Sequence, residues 1–148
     1  MHVWVRTRLR LGQTYVSFVR RTLKRQLHRL GLRGVEVSMC LVGDRAMRTL
    51  NRTWRGKDAS TDVLSFPAGT TPVPVGKRRL LGDVIVSLDT TRRRAGPRRQ
   101  DIERELTRYL AHGVLHLLGY DHHAPGPRRR MARMEKRLLG RTGMLDSR

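Results

Sequence analysis

Residues 112–123 read HGVLHLLGYDHH and hold four of the six histidines in this chain of 148 residues. His112 and His116 lie four positions apart in an apolar pattern of helical period, so both imidazoles project from the same face of one helix. Gly119 follows three residues later, and glycine tolerates the left-handed conformation that ends many helices. We expect the chain to bend there and to bring His122 back toward the other two histidines.

The pattern H-x-x-x-H-x-x-G-x-x-H has the ligand spacing of a metzincin zinc site. Three neutral imidazoles leave one coordination position open, which is typical of a catalytic zinc rather than a structural one. The sequence therefore predicts one zinc ion bound by His112, His116 and His122. His123 should point away because it directly follows His122, although the two could exchange roles. Asp121 fits equally well as a group that orients a ligand and as a turn residue.

Gly113 stands where the protease motif H-E-x-x-H has its glutamate. That glutamate is the general base for the water that attacks the peptide. Its absence disfavours peptide hydrolysis, whereas a bound metal can still activate water for a suitable substrate. A metalloprotease-like hydrolase therefore remains only the weaker alternative.

The charge balance suggests which substrate is suitable. The chain has 32 basic and 12 acidic residues, a formal net charge of +20. Such a domain is expected to bind polyanions, with nucleic acid as the first candidate, although an arginine-rich composition also arises in GC-rich genomes. Together with the metal site, the charge favours a phosphodiester substrate.

The cysteine count, the apolar runs and the N-terminal segment indicate the cellular compartment. Cys40 is the single cysteine, which excludes an internal disulfide framework and fits a reducing cytosol. No apolar run reaches the roughly 18–20 residues that span a membrane, and no secretory leader pattern is present. The acid-free segment before Glu36 resembles a mitochondrial transit peptide in composition, but its periodicity favours folded structure. We expect a cytoplasmic protein without membrane contact.

Periodicity and turn residues predict one α+β domain over residues 1–148, without repeats or a linker. The predicted strands are 2–9, 35–42, 61–67 and 82–88. The predicted helices are 16–30, 44–51 with Asp44 as N-cap, 89–95, 97–119 and 128–140. The predicted loops are 68–79 and 120–127, and the residues after 140 are expected to fray.

A second motif, LNRTWRGKDASTDVLSFP, occupies residues 50–67. It reads as a polar loop that leads into a strand. Arg55 and Lys57 flank Gly56 and could form an anion-binding corner, although an ordinary basic surface loop would look the same. Asp62 and Asp83 are weaker candidates for groups that orient the site, because aspartates at strand ends often only terminate pairing.

These two motifs, together with LLGDVIVSL (80–88) and the M..ME pattern at 131–135, resemble the YbeY family of bacterial endoribonucleases, also called rRNA maturation factors. The resemblance covers residues 35–139 in order and spacing. It implies a four-stranded mixed sheet packed by helices and a zincin-like site in which His112, His116 and His122 bind one zinc ion.

The resemblance also implies single-strand-specific endoribonuclease activity in maturation of the small-subunit rRNA 3′ end and in ribosome quality control. The partners would be single-stranded rRNA, the small ribosomal subunit and its assembly proteins, and DNA is not expected. The family's arginine falls on Arg55, which we expect to stabilise negative charge on the scissile phosphate. Whether water or the RNA 2′-hydroxyl attacks stays open. A non-catalytic rRNA-binding assembly factor with a structural zinc is the main alternative.

Two departures from the family pattern stand out. Trp54 replaces the tyrosine that precedes the arginine in relatives. The segment after His122 is often acidic in relatives but is basic over residues 124–133 here. Such a segment would extend an RNA-binding surface through Arg128, Arg129 and Arg130.

Overall fold

The computed structural model describes residues 1–69, 77–120 and 124–146, with side chains through residue 139. Within these residues the chain forms four strands and six helices. The strands are β1 (His2–Thr7), β2 (Val35–Val42), β3 (Val63–Pro67) and β4 (Arg79–Ser87). The helices are α1 (Arg10–Gln13), α2 (Val16–Arg29), α3 (Asp44–Arg55), α4 (Leu88–Ala95), α5 (Arg99–Leu117) and α6 (Pro125–Asp146).

The strands form one mixed sheet in the order β1-β2-β4-β3. β2 runs parallel to both β1 and β4, whereas the edge strand β3 is antiparallel to β4. The predicted fold class, α+β with a four-stranded mixed sheet, is confirmed. No helix in the described part of the chain combines the length and apolarity needed to cross a membrane.

Helices α2 and α5 cover one face of the sheet. Alternate residues of β2 point into this layer because successive side chains of a strand face opposite sides. The core contains Val37, Met39 and Leu41 of β2, Leu23 and Leu27 of α2, and Leu106, Leu110 and Val114 of α5. The opposite face is more open: the side chains of Trp4 and Leu80 are 47 % and 44 % exposed, and α3 packs beside β4 on that side.

Helix α5 positions the histidines. Its buried residues recur at steps of three and four, as the sequence predicts. It begins at Arg99, just after Pro97, and ends at Leu117, so it is shorter at both ends than predicted. Gly119 has φ of +93°, which confirms the left-handed bend expected after the helix.

Helix α3 extends one turn beyond the predicted end near Asn51. The Asn51 side chain is buried and donates a hydrogen bond of 2.8 Å to the Ala59 carbonyl, so the residue stabilises the helix instead of ending it. The helix stops at Gly56, whose φ is +71°. Arg55 is therefore the last residue of a helix, and the prediction of a polar loop there was wrong.

The predicted role of Asp44 was also wrong. Gly43 is the N-cap of α3, and Asp44 is the first helical residue. Asp44 Oδ1 accepts hydrogen bonds from the hydroxyls of Ser87 (2.6 Å), Thr90 (2.7 Å) and Ser60 (3.0 Å), and Oδ2 pairs with Arg93. Its carboxylate therefore ties α3 to the junction of β4 and α4.

Helix α6 begins at Pro125 and reaches Asp146, so the predicted bounds of 128–140 were too narrow. Proline fits the first turn of a helix because the N–H groups there have no helical acceptor. The side chains of Met131 and Leu138 pack on Ala111 and Leu115 of α5. This packing brings α6 alongside the helix that carries the histidines.

The other bounds differ by a few residues. β1 ends at Thr7, where the short helix α1 follows, and β3 begins at Val63. β4 begins at Arg79 because its first residues pair with the start of β2. The predicted loop 68–79 falls partly outside the described residues.

Candidate functional site

His112 and His116 converge on one point beside α5. Both side chains are half-buried, as their position on the flank of the apolar stripe predicts. Their Nε2 atoms lie 3.0 Å apart and their ring centroids 4.5 Å apart. Two nitrogens bound tetrahedrally to one zinc ion at about 2.0–2.1 Å lie roughly 3.3 Å apart. The spacing and the chemistry of this pair therefore fit a shared zinc ion.

Glu135 of α6 completes the surroundings of His112. Its Oε1 lies 3.1 Å from Nδ1 of His112. In the tautomer with hydrogen on Nδ1, this N–H donates a hydrogen bond to the carboxylate and leaves the lone pair on Nε2 for a metal. Glu135 belongs to the M..ME pattern, but its sequence position alone predicts no role for it. The available signal was an acid isolated in the strongly basic stretch 128–137.

The third predicted ligand, His122, lies outside the described residues, as do Asp121 and His123. Over residues 1–69, 77–120 and 124–146, no group of three possible ligands gathers closely enough to hold a metal ion. Ligation by His122 therefore stays a prediction, as does the role expected for His123.

Arg55 shares a cavity with the histidine pair. This cavity, the histidine cleft, has a volume of about 670 Å³ and is lined by His112 and His116 from α5, by Arg55 at the end of α3, and by Lys57 and Tyr120. The structure thus brings together Arg55 and His112, which lie 57 positions apart in the sequence.

The Arg55 guanidinium is held from two sides. Its Nη2 donates a hydrogen bond of 2.6 Å to the carbonyl of Ser65, and its central carbon lies 5.3 Å from the ring centroid of Phe66. The bond to Ser65 uses one of five N–H donors. A guanidinium positioned in this way suits recognition of a phosphate in the cleft.

Gly113 faces the sheet at close range. A Cβ atom added there would lie 2.7 Å from Cγ1 of Val84 and 3.2 Å from Oγ of Ser65. The Ser65 hydroxyl donates a buried hydrogen bond of 3.0 Å to the Gly113 carbonyl. At position 113, where the protease motif has a glutamate, α5 therefore packs too closely on β4 to leave room for a side chain.

The two candidate aspartates differ in place. Asp62 lies near His112, but its carboxylate accepts hydrogen bonds of 2.7 Å from both Arg94 and the Val63 N–H. Asp83 is exposed on the open face of the sheet, whereas its neighbour Val84 packs toward α5. Asp83 therefore lies across the sheet from the histidines, and its expected place at the site was wrong.

Two other titratable groups stay protonated near neutral pH. Burial raises the pKa of Tyr109 to about 12, even though Arg94 donates to its hydroxyl at 3.3 Å. Burial also raises the pKa of the Cys40 thiol. Neither group is suited to act as a nucleophile or a general base under these conditions.

Comparisons with known proteins show which proteins this chain resembles. The family model described as endoribonuclease YbeY matches residues 6–143. A protein of Myxococcus xanthus named endoribonuclease YbeY is 49 % identical over 144 residues, 97 % of this chain and 49 % of that protein. An Anaeromyxobacter protein of the same name is 52 % identical over 136 residues, 92 % of this chain and 69 % of that protein. The chain thus spans about half of the first relative and about two thirds of the second.

A solved structure shares the fold. The solution structure of TM1509 from Thermotoga maritima matches with a TM-score of 0.56 and 24 % identity, over 94 % of this chain and 90 % of that one. At this identity the likeness supports the α+β architecture alone.

Proposed function

Since the chain belongs to the YbeY family of endoribonucleases, we propose that it is a zinc-dependent endoribonuclease that cleaves single-stranded RNA. One observation carries the proposal: the convergent histidine pair and Arg55 line the same cleft. A phosphodiester held there would meet a metal-binding pair on one side and a fixed guanidinium on the other.

Each residue of the cleft has a task in this proposal. His112 and His116, with His122 as the predicted third ligand, would hold one zinc ion, which supplies Lewis-acid chemistry at the phosphodiester when bound. Arg55 stabilises the negative charge that develops on the scissile phosphate. Glu135 orients the His112 ring, and Lys57 adds positive charge at the cleft.

We further propose that the substrate in the cell is rRNA. Resemblance to the family supports a role in maturation of the small-subunit rRNA 3′ end and in ribosome quality control, in the cytoplasm and with ribosome-assembly proteins as partners. The net charge of +20 supports a polyanionic partner.

The deciding experiment compares cleavage of single-stranded RNA, duplex RNA and single-stranded DNA by protein loaded with zinc or treated with a chelator. We expect only single-stranded RNA to be cleaved, and only with metal. His116→Ala and Arg55→Ala should lose activity. His28→Ala and Arg52→Ala should keep it, because both side chains are exposed and lie outside the cleft. Cleavage at an unchanged rate by His116→Ala would show that the histidine pair does not carry the activity and would refute the proposal.

The same preparations separate the alternatives. A binding factor with a structural zinc predicts unfolding on chelation and RNA binding without cleavage. Product ends identify the nucleophile, because a 2′,3′-cyclic phosphate forms only when the RNA 2′-hydroxyl attacks.

We also propose that the basic start of α6 contributes to RNA binding. Arg128, Arg129 and Arg130 are exposed in its first turns. Single-stranded nucleic acid gives a slope of log affinity against log salt of about −0.7 per phosphate contact. Replacing all three arginines with alanine should therefore reduce the slope by about 2. An unchanged slope and affinity would remove this segment from the interface.

A further inference from the structure

Trp54 is the most exposed large hydrophobic side chain in the described part of the chain, at 67 %. It lies in the last turn of α3, directly before Arg55. Its indole meets Phe66 edge-on, with ring centroids 6.5 Å apart and an interplanar angle of 70°. This contact orients the indole but leaves most of its surface to solvent. An exposed indole contributes little to the core, so its place beside the site calls for another explanation.

A second cavity, the aromatic cavity, opens beside Trp54 on the open face of the sheet. Its volume is about 470 Å³, within the range of roughly 300–1,000 Å³ found for small-ligand pockets. Trp54 and Phe66 supply aromatic surface, while Arg6, Ser38 and Asp83 supply hydrogen-bond donors and acceptors. Aromatic surface with a few polar groups is what an unpaired nucleobase requires.

The aromatic cavity adjoins the histidine cleft through β3. Ser65 lines the histidine cleft, and the next residue, Phe66, lines the aromatic cavity. Arg55 bridges the two, because its guanidinium bonds to the Ser65 carbonyl and lies over the Phe66 ring. An RNA strand with one phosphate at Arg55 would therefore carry a neighbouring nucleotide toward Trp54.

The charges that line the two cavities favour a polyanionic partner, as RNA is. The cations that line the two cavities are Arg6, Arg55 and Lys57, and the carboxylate is Asp83. The excess of positive charge suits a phosphate backbone.

We propose that Trp54 and Phe66 form a binding subsite for one unpaired nucleobase, next to the phosphate held by Arg55. This inference rests on the proposed function. It explains why the proposed nuclease would prefer single-stranded RNA. A base within a duplex is already stacked on its neighbours, so it cannot also stack on the indole.

Fluorescence tests the subsite without any need for cleavage. The chain has two tryptophans, so Trp4→Phe leaves Trp54 as the only reporter. We expect single-stranded 2′-O-methyl RNA, which resists cleavage, to quench this fluorescence, and duplex RNA of the same sequence to leave it unchanged. Trp54→Ala should weaken single-strand binding about tenfold. Trp4→Ala, at the other edge of the sheet and 47 % exposed, should bind like the parent protein.

An abasic scan makes the assignment specific. One abasic nucleotide, placed at each position of the RNA in turn, should weaken binding to the parent about tenfold at a single position. The affinity of Trp54→Ala should not change when that base is removed, since the indole on which the base stacks is already missing. Equal abasic effects in both proteins, absent quenching, or unchanged affinity of Trp54→Ala would overturn the proposal and leave the indole to a protein partner. If the abasic effect depends on Trp54 as expected but the protein cleaves no RNA, the nuclease activity would be refuted and the subsite retained.

Discussion

The hydroxyl of Ser65 donates a hydrogen bond to the main-chain carbonyl of Gly113, and this bond joins edge strand β3 to the helix that carries both histidines. The carbonyl of Ser65 accepts a hydrogen bond from Arg55. One strand residue therefore sets the distance between the guanidinium and the histidine pair, although the three residues belong to different secondary-structure elements.

Ser65→Ala removes the link to α5 and keeps the carbonyl that holds Arg55. The free energy of unfolding should fall by about 1 kcal/mol, the typical net value of one intramolecular hydrogen bond. RNA cleavage should fall as well, because β3 and α5 then lose their fixed spacing. Urea denaturation and kcat/KM measure the two effects. Ser17→Ala, at an exposed position of α2 outside both cavities, is the matched control and should change neither strongly.

Arg55→Lys keeps the positive charge but loses the planar fork that bonds to Ser65 and lies over Phe66. We expect kcat/KM for RNA to fall at least about tenfold, which corresponds to roughly 1.4 kcal/mol of transition-state stabilisation. Arg52→Lys, one turn earlier on α3, should behave like the parent protein. Full activity in Arg55→Lys would mean that charge alone is sufficient at this position.

Glu135→Gln replaces the carboxylate beside His112 with a neutral amide of the same shape. Groups that orient a metal-binding histidine typically contribute ten- to a hundredfold to metal affinity, so we expect zinc binding to weaken by about tenfold or more. Competition with a chromogenic chelator measures this directly. Glu103→Gln removes the same charge from α5 far from the histidines and should leave zinc affinity unchanged. Identical affinities for all three proteins would contradict the role assigned to Glu135.

The environment of Asp44 predicts how the free energy of unfolding depends on pH. Although burial opposes its charge, hydrogen bonds from Ser87, Arg93, Thr90 and Ser60 lower the pKa of this carboxyl well below its usual range. A lowered pKa in the folded state gives stability that is complete above the unfolded pKa of about 3.9 and is lost as pH falls below it.

Asp44→Asn should therefore cost about 1–3 kcal/mol at neutral pH, since it weakens hydrogen bonds to a charged group. Below pH ~4, its stability should decline less steeply than that of the parent. Urea denaturation between pH 6 and pH 3 measures both quantities. Parallel declines would show that Asp44 does not contribute to the acid sensitivity.

Gly113→Ala tests the close contact between α5 and β4. The added methyl group would meet Cγ1 of Val84 at 2.7 Å, so we expect a loss of about 1–3 kcal/mol in unfolding free energy despite the better helix propensity of alanine. Val84→Ala removes the obstructing methyl groups. In the double variant the cost of Gly113→Ala should largely disappear, whereas additive losses would place the conflict elsewhere.

Most helices and strands, and the common face of His112 and His116, could be predicted because they follow from local sequence patterns. The i, i+4 spacing of His112 and His116 fixes their common face, and the glycine at 119 marks the bend. Helix α3 was predicted too short because Asn51 looks like a terminator in sequence. Its amide is satisfied by Ala59, a contact that exists only after the following loop folds back.

Long-range partners could not be predicted in the same way. Glu135 reaches His112 from another helix, 23 residues away, and periodicity does not encode that contact. The placement of β4 between β2 and β3 likewise depends on how the strands associate. The alternation of side chains along β4 turns Val84 toward α5 and Asp83 to the opposite face. The edge position of β3 puts Ser65 between Arg55 and the histidine helix.

The contact between Gly113 and Val84 also limits how such a site could be redesigned or diverge. A glutamate installed at position 113 would need the space now filled by β4, so a single codon change cannot restore the protease motif without disturbing the sheet. Any path toward peptide hydrolysis must first remodel the strand. Core packing at Gly113 therefore opposes the protease motif independently of the residues that line the cleft.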